Sequence, residues 1–165
     1  MAKVAVVYWS GTGNTQKMAE AVVEGAKGAG AEVECFEVDS FSVDQIDGFD
    51  GLALGCPSMG AEVLEEEEFE PMFASVEGAL HGKKIALFGC GDSSSYSDTF
   101  CSALGTIYND LKDSGATFVG SVDPSDYTFD GSDAVVDGQF VGLPIDEVNE
   151  SDKTDERISN WVASL

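Results

Sequence analysis

Val4-Ala5-Val6-Val7-Tyr8-Trp9-Ser10-Gly11-Thr12-Gly13-Asn14-Thr15 joins an apolar run to a loop of glycines and hydroxyls, and then to a helical pattern. The run predicts a buried strand over Lys3–Tyr8, and the pattern after it a helix over Thr15–Gly28. At such a junction the free loop N–H groups and the positive end of the helix dipole converge on one point, a cradle for an anion. The loop holds no lysine or arginine, so N–H and O–H donors alone must hold that anion. This excludes the nucleoside-triphosphate loop, whose lysine reaches the outer phosphates. The dinucleotide fingerprint fails too, because Gly11 and Gly13 match but Gln16 stands at the third glycine position. A phosphatase loop would need a cysteine nucleophile and an arginine, and the loop has neither. Ser10, Thr12, Asn14 and Thr15, with the backbone of Gly11 and Gly13, suit a single phosphate monoester. An ordinary capped strand-to-helix turn is the competing reading of the same residues.

Outward from this unit, strand and helix signals alternate. Further strands are expected at Glu32–Glu37, Gly51–Leu54, Lys84–Phe88 and Thr117–Val122. Helices are expected at Glu68–Ala79, Phe100–Ser114 and Asp155–Ser164, with a short one near Val43–Ile46. The strands are nearly continuous apolar runs, as in a parallel sheet covered on both faces. The pattern predicts one doubly wound α/β domain spanning residues 1–165. Asp123–Asn149 breaks the rhythm with short strand-like pieces at Tyr127-Thr128-Phe129, Ala134-Val135-Val136 and Gln139–Leu143. These predict small strands at the sheet edge, in an insertion within or just after the fifth strand.

With 8 basic and 31 acidic residues, the chain carries a formal charge of −23. Such a field repels nucleic acid and anionic membranes and favours partners with basic faces. The N-terminal residues pass straight into a strand without a signal pattern, and no apolar run approaches a membrane span, so a cytoplasmic protein is expected; a monomer is expected as well. Cys35, Cys56, Cys90 and Cys101 form no Cys-x-x-Cys pair, and His81 stands alone. No metal site is expected, and the thiols read as reduced packing residues.

In doubly wound sheets ligands bind beyond the carboxyl ends of the strands. Three loops leave that edge together: Ser10–Thr15, the loop after strand three with Pro57-Ser58-Met59-Gly60, and the loop after strand four with Gly89-Cys90-Gly91-Asp92-Ser93-Ser94-Ser95-Tyr96. Met59 and Tyr96 flanking a phosphate cradle make a slot for a flat ring with a phosphate tail. An aromatic stack there adds roughly 0.5–1.5 kcal/mol beyond its area. Cys90 and Cys101 fall beside the same loops and are counted among the residues lining the slot, as packing. No nearby cation would depress a thiol pKa there.

With these loops in hand, the chain resembles a flavodoxin along essentially its whole length. Tyr8-Trp9-Ser10-Gly11-Thr12-Gly13-Asn14-Thr15 is similar to that family's phosphate loop, and Gly89-Cys90-Gly91-Asp92 with Tyr96 to its outer-face loop. Asp137–Leu143 and Thr154–Ile158 are similar to long-chain members, whereas Ser58–Leu64 looks like the clostridial short-chain type. The resemblance implies non-covalently bound FMN, a five-stranded sheet of order 2-1-3-4-5, and a low-potential one-electron carrier cycling through quinone, semiquinone and hydroquinone. It places at Gly60 a peptide that flips on reduction to accept the flavin N5–H; glycine permits that change at low steric cost. The run Glu62, Glu65, Glu66, Glu67, which follows directly, reads as a docking face for basic partners, or as favourable charge in a solvated first turn. An FMN-dependent NAD(P)H or quinone reductase, and a flavin-binding module without redox partners, stay open as alternatives.

Overall fold

β1 (Lys3–Tyr8) runs between β2 (Glu32–Glu37) and β3 (Gly51–Pro57), parallel to both. Val4 sits opposite Val33 on one side and Gly51 on the other. β4 (Lys84–Cys90) continues the sheet beyond β3, with Pro57 opposite Cys90. The computed structural model describes residues 3–9, 14–41, 43–57, 80–94, 100–146 and 149–164. The helix expected over Glu68–Ala79 lies outside them.

Alternation along β1 explains its unbroken apolar sequence. Ala5 and Val7 enter one core cluster and Val6 and Tyr8 the other, so both faces are buried. On the Val6 side, α1 (Asn14–Gly28) supplies Met18, Ala19, Val22 and Val23, and α3 (Thr154–Ser164) supplies Ile158, Trp161 and Val162. On the Val7 side, α2 (Ser102–Leu111) supplies Ala103, Leu104, Ile107 and Leu111. Helices thus cover both faces of a doubly wound α/β sheet. The short second helix is instead a pair of 3-10 turns, Val38–Ser40 and Val43–Gly48, which set Ile46 and Phe49 into the core.

The fifth sheet position is shared. β5 (Thr117–Val119) pairs with the first half of β4, opposite Lys84–Ala86. β8 (Leu143–Ile145) pairs with its second half, opposite Phe88–Cys90. The strand order is therefore β2-β1-β3-β4-β5, with β8 in line beyond β5. The fifth strand is shorter than the expected Thr117–Val122, because Val122 turns away to bridge Phe140. Between the two halves, β6 (Val135–Val136) and β7 (Gln139–Phe140) form an antiparallel hairpin. Asp137 (φ 53°) and Gly138 (φ 82°) close it, the double positive φ of a type I′ turn.

Two expectations about this segment need correction. Tyr127–Phe129 is not a strand; it follows a 3-10 turn at Pro124–Asp126 and packs its rings against Phe100 and Phe140. Gln139–Leu143 is not one piece: it divides at Val141-Gly142 into β7 and β8, and β8 belongs to the main sheet. Pro144 is compatible with that place because β8 is an edge. Its carbonyl points away from β4 and accepts the Tyr127 hydroxyl at 2.8 Å. A missing N–H on that side costs no sheet hydrogen bond.

Candidate functional site at the carboxyl edge of the sheet

The carboxyl ends of β1, β3 and β4 lie side by side, locked by Trp9 N–H donating to Gly55 O at 3.0 Å and by the β3–β4 register. α1 opens at this edge, beginning at Asn14. Its first turn contains no acidic residue, although the chain has 31 of them. A 15-residue helix whose positive end meets no carboxylate of its own suits an anion such as a phosphate.

Behind that helix start the structure is tightly packed. Thr15 is 1% exposed, and its hydroxyl donates to Cys90 Sγ at 3.8 Å. Cys90 Sγ in turn lies 3.9 Å from Met18 Sδ. This polarizable contact ties the end of β4 to the first turns of α1. Cys101, fully buried, holds a left-handed conformation (φ 52°) just before α2. The structure brings Thr15 and Cys90 into contact, sets Gly91 and Asp92 directly beyond β4, and ends β3 at Pro57. Ser10, Gly11, Thr12, Gly13, Ser58, Met59, Gly60, Tyr96, Glu62, Glu65, Glu66 and Glu67 lie outside the described residues.

The loop after β4 has an anchorage that the sequence reading missed. Gly91 N–H donates to Ile145 O at 2.9 Å, carrying the β4–β8 ladder one step further. Asp146, with no solvent exposure, accepts from Ser93 N–H at 3.2 Å and from the Ser93 hydroxyl. It also accepts from Asn149 N–H at 2.9 Å and from Asn149 Nδ2 at 3.0 and 3.1 Å. Asn149 Nδ2 reaches on to Asp92 Oδ1 at 2.9 Å, and that same oxygen caps Ser94 through N–H (3.1 Å) and hydroxyl (3.0 Å). Leu143-Pro144-Ile145-Asp146 carried a usable signal, three apolar residues followed by a carboxylate as a strand leaves a sheet. Pro144 masked it.

Comparison with known proteins accords with this geometry. A family model described as Flavodoxin matches residues 6–161. The chain belongs to the flavodoxin family. It is 38% identical to flavodoxin 1 of Azotobacter vinelandii over 100% of this chain and 96% of that one. It is 36% identical to a flavodoxin of Picosynechococcus, with the same coverage. A crystal structure of Fusobacterium nucleatum flavodoxin bound to flavin mononucleotide superposes with a TM-score of 0.89 at 22% identity, covering 99% of this chain and 96% of that one. As a flavodoxin, the chain falls among electron-transfer proteins. No helix among the described residues is long and apolar enough to cross a membrane.

Proposed function

We propose that this flavodoxin binds FMN at the carboxyl edge of its sheet and carries single electrons between partner proteins. The observation that carries this reading is the start of α1 beside the ends of β1, β3 and β4, free of acidic residues in its first turn. FMN, when bound, supplies reversible one-electron oxidation and reduction. The chain's own part is to bind, orient and shield. Ser10, Thr12, Asn14 and Thr15, with the backbone of Gly11 and Gly13, would hold the phosphate without a compensating cation. Pro57, Ser58, Met59 and Gly60 would line one side of the ring, and Gly91, Asp92 and Tyr96 the other, with Cys90 and Cys101 as buried packing residues. An anchor without basic residues, within a −23 chain, opposes added negative charge on the ring and so favours a low potential.

The run Glu62, Glu65, Glu66, Glu67 would steer partners with basic faces toward the exposed ring edge. The chain works in this reading as one domain, residues 1–165, monomeric and cytoplasmic, and turns over no substrate of its own. Oxidation of NADPH by the purified protein alone would instead support a reductase.

The test is a titration of apoprotein with FMN and with riboflavin, followed by flavin fluorescence. FMN binds at least about a hundredfold tighter than riboflavin, because the phosphate makes charge-assisted hydrogen bonds that each contribute roughly 1.5–3 kcal/mol. Equal affinity for the two flavins sinks the phosphate cradle, and failure of both to bind sinks the whole assignment.

A further inference from the structure

We infer that Asp146 and Asn149 are positioning residues for the loop Gly91–Ser94, holding it against the flavin ring from the carboxyl end of β8. The inference rests on the FMN site proposed above. Three observations carry it. Asp146 is a fully buried carboxylate, and its described hydrogen bonds come from two places only, Ser93 on the loop and Asn149 three residues on. A buried carboxylate is tolerated only when several donors satisfy it, and here the loop supplies two of them. Asn149 then joins Asp146 to Asp92 through one amide group, donating to both carboxylates. Finally, Gly91 N–H is fixed to Ile145 O, so Gly91, Asp92 and Ser93 are each tied to the end of β8 or to the residues that follow it.

The arrangement gives the second half of the split fifth strand a task. β5 alone reaches only the first half of β4, opposite Lys84–Ala86. β8 brings a backbone to the carboxyl half, and with it the acceptors that fix the loop. Two carboxyl groups bridged by one amide form a brace that functions only as a whole: removing the amide unties Asp92 from Asp146. A loop held in advance loses less conformational freedom when it closes on a ligand, so preorganisation of this kind raises affinity.

The test compares wild type with Asp146→Asn, Asn149→Ala and Ser93→Ala. Measured are FMN and riboflavin affinity of the apoprotein, its urea midpoint, and the visible circular dichroism of the bound flavin. Asp146→Asn is expected to weaken FMN about tenfold, since an amide cannot accept at both oxygens and its NH2 opposes the Ser93 donors. Ser93→Ala weakens FMN about threefold or more, by loss of its hydroxyl donation to Asp146, and Asn149→Ala at least as much, by loss of its amide donations to both Asp146 and Asp92. Because the loop meets the ring and not the phosphate, FMN and riboflavin lose affinity by the same factor, and the dichroism of the bound ring changes. Asn149→Ala lowers the urea midpoint of the apoprotein, because buried Asp146 loses a donor, and flavin affinity falls by more than that loss of stability accounts for. The inference is overturned if the variants bind FMN as wild type does, or if affinity falls only in proportion to lost apoprotein stability. A wild-type protein that binds no flavin overturns the proposed function itself.

Discussion

Gly55 shows how a single position can decide the packing of one face. A Cβ built there would stand 2.1 Å from the Phe88 ring. The ring has nowhere to retreat, being fully buried and set edge-on against Trp161 at a centroid distance of 6.2 Å. Gly55→Ala is therefore predicted to lower stability by about 1–3 kcal/mol, the usual cost of forcing extra volume into a packed core. A lower urea midpoint with unchanged slope checks it, and Phe88→Leu in the same background is expected to return part of the loss. An unchanged midpoint would mean that β3 and β4 can part without cost. The same residue limits what a sequence discloses. Gly51–Leu54 reads as a strand from its apolar run, yet the strand continues to Pro57, because Gly55 is chosen for a neighbour on another strand and carries no strand signal of its own.

Among elements, β1 with α1 was the most legible and β8 the least, and the reason is physical. β1 is six residues long with both faces buried, so its pattern is complete without knowledge of its neighbours. β8 has three residues including Pro144 and exists through pairing with β4 and through the Tyr127 hydroxyl. Of the site, the loops were visible as composition, whereas the Asp146 brace depends on residues brought together across 53 positions of sequence. β2 offers a prediction at this scale. As the sheet's other edge it exposes Glu32, Glu34 and Glu37, charges that discourage pairing with a further strand. Those charges also act on titrating neighbours. The Cys35 thiol is raised above its ordinary 9.0 by desolvation, then by Glu20 and Glu37. The Tyr8 phenol is raised above its ordinary 10.0 by desolvation, then by Glu37 and Cys35. In both cases the folded chain keeps a proton that the unfolded chain releases, so stability is full below the ordinary values and falls as pH rises through them. Urea midpoints measured from pH 8 to pH 11 should decline, and Cys35→Ser should delay the onset of the decline. A flat profile would remove the role given to the β1–β2 edge.

For the whole molecule, the −23 charge sets two responses to salt that point in opposite directions. Ion pairs such as Lys3–Glu34, Lys153–Glu150 and Arg157–Glu150 neutralise little of an excess this large. The folded chain gathers its carboxylates into a small volume and repels itself, while the unfolded chain spreads them out. Raising ionic strength from about 0.01 M to about 0.15 M shortens the screening length from about 30 Å to about 8 Å. The thermal midpoint is therefore predicted to rise over this range, as the cost of compaction is screened. Association with a basic partner relies on the same field acting across solvent, so the second-order rate of electron transfer should fall over the same range. Measuring both in one set of buffers separates the two origins. If stability rises while the transfer rate is unchanged, the charge serves the folded state alone and Glu62, Glu65, Glu66 and Glu67 are not a docking face. If the rate falls, charge reversal at those four positions should reduce its salt dependence, whereas the same number of reversals on β2 and α1, away from the ring edge, should leave most of it in place.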